Sequence, residues 1–180
     1  ATEILFDGKR AVGVAYRRNS SYSTAHAGRA VILSAGSVQS PQLLELSGIG
    51  DPAVLKAHGI PIRHVLRGVG ENYQDHYITR LVWRVHGVAS LNQRMRGLSL
   101  AAEALKFALV RRGALTFTAG IIVGFVKTRP EIATPDVQYH IAHASFADPK
   151  KRVLDRWPGL TFGPSQLRPE SRGSIHIKSP

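Results

Sequence analysis

An α+β fold follows from three features of this 180-residue chain. The stretch Ala30 to Gly50, AVILSAGSVQSPQLLELSGIG, is an apolar run that breaks into small residues and then turns helical. Upstream of it, two strand-like runs are joined by Asp7-Gly8-Lys9, a short-range hairpin signal. Downstream of His76, one helical pattern is followed by strand-like segments separated by Pro, Gly and charged loops, which assemble most simply as a helix crossing a mainly antiparallel sheet. Residues 1–76 therefore read as an α/β-type remnant, and residues 77–180 as a mainly antiparallel sheet flanked by helices.

In chain order, Ile4 to Arg18 forms the hairpin, with Ala11 to Tyr16 rich in Val and Tyr. Asn19 to Ser23 is polar and loop-like, and Ser23 to Arg29 adds a third strand to the meander. Ala30 to Ser34, apolar without alternation, predicts a strand buried on both faces. It stops at Ala35-Gly36. The helix that follows has Ser37 or Ser40 available as N-cap, Pro41 for its first turn and Gly48 as its C′ stop. A buried strand, a small-residue turn and a helix N-terminus let an anionic group approach bare backbone N–H groups. A second helix, Asp51 to His58, has Asp51 as N-cap, Pro52 at its first position and Gly59 past its end. Lys56 and His58 fall at the negative end of its dipole, which explains His58 without catalysis. Ile60 to Leu66 is extended, Gly68-Val69-Gly70 is a turn, and Glu71 to Tyr77 (ENYQDHY) is a polar cluster suited either to chemistry or to loop capping.

Beyond the boundary at His76, Ile78 to Val85 reads as a strand with Trp83 half buried. Leu91 to Val110 reads as a single helix with Leu98, Ala102, Leu105 and Leu109 on one stripe, ended by Gly113. Ala119 to Lys127, Asp136 to Ala144, Leu160 to Leu167 and Ser174 to Lys178 are the four further strand candidates.

With 43% hydrophobic and 20% charged residues the composition is that of a globular protein. The 24 Lys+Arg against 12 Asp+Glu give a formal charge of +12, which raises the question of a nucleic-acid partner. The basic residues are scattered and no zinc-finger, RNA-recognition or basic-zipper pattern accompanies them, so the reading is no nucleic acid. A stand-alone basic module for an acidic protein or nucleic acid is the alternative, marked by salt-sensitive retention of DNA. The absence of cysteine excludes disulfides, thiolate metal sites and a Cys nucleophile, and fits a bacterial-type cytoplasm. No apolar stretch is long enough for a transmembrane segment: Leu98 to Val110 is interrupted by Glu103 and Lys106. Peripheral membrane association stays open. Both ends read as cut from a longer polypeptide.

Candidate chemistry is sparse. Gly68-Val69-Gly70 is a weak phosphate motif, and Ser34, Ser37 and Ser40 lack the GxSxG elbow of a hydrolase. His140, His143 and His176 have no carboxylate at a fixed offset. His140 and His143 point to opposite faces of a strand, so no metal site is expected.

The segment GSVQSPQLLELSGIG, Gly36 to Gly50, resembles the second signature of the glucose-methanol-choline (GMC) oxidoreductases, with Ser40-Pro41, Leu43-Leu44 and Ser47-Gly48-Ile49-Gly50 in the expected places. GVGENYQDH, Gly68 to His76, is similar to the family's GVGxNLQDH, with Tyr73 for leucine, and ILFDGKRAVGV, VGFVKTRP, PDVQYH and LRPESRGSIHIKS follow its choline dehydrogenase-like and alcohol dehydrogenase-like members. The resemblance implies a flavoprotein of two domains. Residues 1–76 would be the C-terminal part of an FAD-binding domain, and residues 77–180 part of a substrate-binding domain. The backbone of Ala1 would lie at the adenine edge, with Ala35 and Gly36 close to the diphosphate and ribose. Asn72, Asp75 and His76 would lie on the link between domains.

The family's GxGxxG fingerprint is absent from the chain, as is the segment that carries its catalytic histidine. No catalytic residue is carried over to His26, His58, His64, His76, His86, His140, His143 or His176. The expectation is an internal fragment of an FAD-dependent oxidoreductase that converts an alcohol to a carbonyl, inactive by itself and not retaining FAD. Choline selectivity would need an aromatic or acidic cage, for which Trp83, Phe117, Phe125, Tyr139 and Phe146 are candidates.

Overall fold

The computed structural model describes residues 1–117 and 120–180, and the chain divides into two compact units. The first unit comprises Ala1–Gln74 with Glu170–Pro180, and the second Asp75–Pro169. The sequence pattern drew one boundary at His76. The chain crosses over beside it and returns to the first unit at Glu170.

In the first unit, β1 (Glu3–Asp7), β2 (Arg10–Arg18) and β3 (Ser21–His26) form an antiparallel meander in that order. The Asp-Gly turn sets the first pairing, Asp7 opposite Arg10, and a bulge shifts the register between Leu5 and Phe6. Ile4 is buried, and its N–H donates to Ser47 Oγ at 2.9 Å, tying the sheet to the helix α1 (Gly36–Leu46). β4 (Ile49–Gly50), α2 (Pro52–Ala57) and β5 (His64–Val65) follow, with β4 and β5 paired in parallel. Asp51 caps α2 by accepting from Ala53 N–H at 2.7 Å, and Pro52 opens the helix as the sequence indicates.

Two expectations at the centre of this unit fail. Ala30–Ser34 is no strand, and Ile32 is 88% exposed instead of buried. An apolar run becomes a strand only when another strand offers it a ladder of hydrogen bonds, and among the described residues none pairs with this one. The helix also starts earlier than its serines. Ala35 is the N-cap, with no side-chain cap, because Gly36 turns the chain at φ +83°, a conformation that costs glycine little. Pro41 therefore falls inside α1 rather than in its first turn, where it removes one N–H from the helical ladder. Gly48, at φ +79°, follows the C-cap Ser47 and stops the helix as expected.

In the second unit, β6 (Leu81–Arg84) precedes two helices, α3 (Leu91–Arg94) and α4 (Gly97–Val110). The single helix read from periodicity is broken at Met95-Arg96, where Arg96 is extended and Gly97 has positive φ. Hydrophobic period alone does not register such a break. The single turn Ala114–Thr116 leads to β7 (Ile122–Val126), β8 (Val137–Ala142), β9 (Phe146–Asp148), β10 (Val153–Leu154) and β11 (Gly159–Gln166). A four-stranded antiparallel sheet in the order β6-β11-β8-β7 is the main layer, and β9 and β10 form a separate ribbon. Ala119, the first residue of one strand candidate, lies outside the described residues. Ser174–Lys178 is not a strand: Gly173 makes one bridge to Tyr73, and the remainder is held by single hydrogen bonds.

The second unit is locked by buried polar groups. Asn92, fully buried, donates to Ser145 O at 2.8 Å and Asp155 O at 3.1 Å and accepts from Ser145 N–H at 3.0 Å. Ser90 Oγ accepts from Gly159 N–H at 3.1 Å. Thus α3 is fastened to the start of β11, and every one of these polar contacts offsets the cost of burying the others. Among the described residues no helix is long and apolar enough to cross a membrane.

Candidate functional site

α1 of the first unit presents two faces to two hollows, as its helical period dictates. Ala35, Gln39, Gln42, Leu43 and Leu46 share one face, and with Ala1 they line a hollow of about 200 Å³. Ser37, Ser40, Pro41 and Leu44 share the other. Together with Leu66, the loop Gly68–Gln74 and Ile175, they line a larger hollow of about 580 Å³.

The residues singled out in the sequence thus fall close together. Ala1 and Ala35 line the same hollow, although they are far apart in the chain, and Gly36 adjoins them at the head of α1. A Cβ on Gly36 would meet no atom within 4 Å, so the helix head is open on that side. With no side chain capping it, the first-turn N–H groups of α1 keep the donor capacity and partial positive charge of a helix N-terminus. The arrangement brings together small side chains, a helix head without a side-chain cap, and two glutamines along the wall. Asn72, at φ +59°, lines the larger hollow, and Asp75 Oδ1 accepts from the His76 N–H at 2.8 Å.

A further cluster in the first unit escaped the sequence reading. Glu45 is fully buried at the C-terminal end of α1. Its Oε1 lies 2.6 Å from His176 Nδ1, and its Oε2 accepts from Ile177 N–H at 2.9 Å. The other ring nitrogen, Nε2, lies 2.9 Å from Glu71 Oε1. Hydrogen bonding to Glu45 raises the His176 pKa above the ordinary imidazole value; burial opposes this, and Glu71 adds to the rise. Gly70 sits against the same ring: a Cβ there would collide with Ile175 O and approach His176 Nδ1 to 2.8 Å. The signal in the sequence is Glu45 itself, a lone carboxylate inside the apolar run LLELSGIG, whose neighbours put it on a buried position.

In the second unit three of the candidate cage aromatics pack on rings outside the candidate set. Tyr139 stacks on Phe162 with ring centres 4.8 Å apart, and Trp83 meets Phe162 edge-on at 6.1 Å. Phe117 meets His143 edge-on at 5.6 Å. His143 Nδ1 is buried without a partner, and burial, reinforced by Arg94, pushes its pKa down. His140 is exposed on β8, and His143 lies past that strand's end, so the strand argument that separated their side chains applies to His140 alone. Among the described residues no group of three or more His, Asp and Glu gathers to hold a metal ion.

Residues 1–78 match the family model described as GMC oxidoreductase. An uncharacterised GMC-type oxidoreductase of Mycobacterium tuberculosis is 39% identical over 179 residues, which are 99% of this chain and 33% of that protein. The oxygen-dependent choline dehydrogenase of Burkholderia vietnamiensis is 36% identical over 182 residues, covering 99% of this chain and 31% of its own length. The alcohol dehydrogenase [acceptor] of Pseudomonas putida is 36% identical over 183 residues, 99% of this chain and 33% of that protein. The chain thus spans about a third of the length of the curated relatives it matches. Among solved structures, formate oxidase of Aspergillus oryzae superposes with a TM-score of 0.84 at 23% identity, over 99% of this chain and 36% of the other. Pyridoxine 4-oxidase gives 0.69 at 19% identity, over 99% and 31%. At these identities the two structures establish the fold.

Proposed function

We propose that this chain, whose residues 1–78 match the GMC oxidoreductase model, forms part of an FAD-dependent oxidoreductase that acts on CH–OH groups and converts an alcohol to a carbonyl. The observation that carries the reading is the head of α1, where Ala1, Ala35 and Gly36 leave a small hollow beside uncapped backbone donors. FAD, when bound, supplies the hydride acceptor for the oxidation. Ala1 and Ala35 would border the cofactor, and Gly36 would let it approach the helix head without meeting a side chain. The positive end of α1 would favour a diphosphate there, by a few tenths to about 1 kcal/mol for each charge near the terminus.

Alcohol specificity belongs to the second unit in this proposal, with the first unit, which Glu170–Pro180 rejoins, on the cofactor side. The names of the relatives make a choline-like or other alcohol the natural substrate class. Neither unit supplies a catalytic residue in this reading, and a cytoplasmic location goes with it. By itself the chain is inactive, because the fingerprint that grips the rest of the dinucleotide is not among its residues.

Expression of the gene with its flanking coding sequence tests the proposal. The expected product is yellow, and its flavin absorbance bleaches anaerobically when the matching alcohol is added. A colourless product, or a flavin that no alcohol in a broad panel reduces, overturns it.

A further inference from the structure

The imidazole of His176 stands between two carboxylates, with Nδ1 2.6 Å from Glu45 Oε1 and Nε2 2.9 Å from Glu71 Oε1. An ionised carboxylate has no hydrogen to give, so both contacts form together only if both ring nitrogens carry protons. The neutral ring has one N–H and can satisfy one partner. Glu45 keeps it, being fully buried and fixed by the Ile177 N–H, whereas Glu71 is half exposed and has water as an alternative. Loss of the proton thus turns the Nε2–Glu71 contact from attraction into the meeting of a lone pair with an anion.

That contact has a structural consequence. Glu71 and Ile175, the residue before His176, both line the 580 Å³ hollow. The same two stretches are laced by Ile175 N–H to Gly70 O at 2.8 Å and by the paired bonds of Tyr73 and Gly173 at 2.8 and 2.9 Å. Of the other charges nearby along the chain, Arg67 pairs with Asp51, Arg63 with Glu3, and Arg172 with the carbonyls of Glu170 and Ser171, while Lys178 follows two residues after His176. Glu45 from α1 and Glu71 from the loop are the charged groups that act on the ring.

We propose that His176 is a proton-operated clasp, closed when its ring is charged, that fastens the Glu170–Pro180 segment to the Gly68–Gln74 loop and so sets one wall of the larger hollow. Closed, it holds Glu71 and Ile175 in place. Open, it leaves the segment tethered at Glu45 and frees Glu71 and the loop. The inference is independent of the bound cofactor and of the substrate.

Imidazole ¹⁵N NMR of the 180-residue chain, combined with hydrogen exchange normalised to intrinsic rates, tests it. Both ring nitrogens of His176 are expected to stay protonated to a pH above the ordinary histidine value. As the pH passes through that titration, protection of the Ile175 and Tyr73 amides should fall, by about tenfold for each unit by which the pKa is raised, while Ile177 stays protected. In Glu71→Gln, the ring should titrate at lower pH and the exchange step should move with it. In His176→Gln the step should vanish. A ring that titrates at the ordinary value, protection that is flat through the titration, or a step that persists in His176→Gln overturns the clasp. If His176→Gln does not fold, Glu71→Gln decides: an unmoved titration overturns it and a lowered one supports it.

Discussion

Glu45 shows how much one side chain can decide. Its carboxylate is fully buried, and two groups satisfy it at once: the His176 ring and the Ile177 N–H. Removing one partner of a buried charged pair leaves the other uncompensated, so His176→Ala should lower unfolding free energy by on the order of 3 kcal/mol in urea titrations. The pH dependence has a definite sign. The folded His176 pKa lies above its unfolded value, so its contribution is complete below the unfolded pKa and is lost as pH rises through the folded one. Wild type should therefore lose stability across that interval relative to His176→Gln. Gly70→Ala tests the same corner by sterics. Positive φ and a Cβ directed at Ile175 O make it destabilising by roughly 2 kcal/mol, measurable as a lower urea midpoint.

Helix ends and the short links beside them govern the element scale. Ser47 Oγ accepts from Ile4 N–H and donates to Leu43 O at 2.6 Å, so one hydroxyl joins the meander to the C-terminus of α1. Ser47→Ala strands a buried N–H, with an expected loss of about 2 kcal/mol in thermal or urea unfolding. At α2, the bond from Ala53 N–H, aided by Arg67, holds the Asp51 carboxyl below its ordinary pKa. Its capping contribution is then present above the unfolded pKa and lost as pH falls through the folded one. Asp51→Ala should lower the melting temperature at neutral pH and leave it nearly unchanged at strongly acidic pH, as read by circular dichroism. Elements announced by local chemistry were legible in advance: the Asp7-Gly8 hairpin, the Asp51-Pro52 start of α2 and the Gly48 stop. Those that depend on a partner were not. Ala30–Ser34 has the composition of a buried strand, but pairing makes a strand, and composition does not supply the neighbour. Met95-Arg96 breaks the predicted Leu91–Val110 helix just ahead of the Leu98–Leu109 stripe, where the hydrophobic pattern gives no warning.

At the scale of the whole molecule, two units with different kinds of interior share one chain. Asn92 in the second is tied to Ser145 and Asp155, and Asn92→Ala should unfold that unit at lower urea, seen as an earlier fluorescence transition of Trp83 and Trp157, which both lie in it. Cofactor capture belongs to this scale as well. Mixed with FAD and passed through gel filtration, the chain is expected to elute without flavin absorbance; stoichiometric retention contradicts the argument from the missing fingerprint.

The resemblance to the GMC oxidoreductases, the α+β class and the small pair Ala35-Gly36 at a helix head were determined by the sequence alone, because signature spacing, turn chemistry and side-chain size are local properties of the chain. Tertiary structure decided that Ala1 comes to share a hollow with Ala35, that Glu170–Pro180 returns to the first unit, and that Glu45, Glu71 and His176 meet. Those outcomes depend on contacts between residues far apart in the chain. No pattern within either stretch records the other, and the burial that raises the His176–Glu45 pair to importance exists only once the segments are packed.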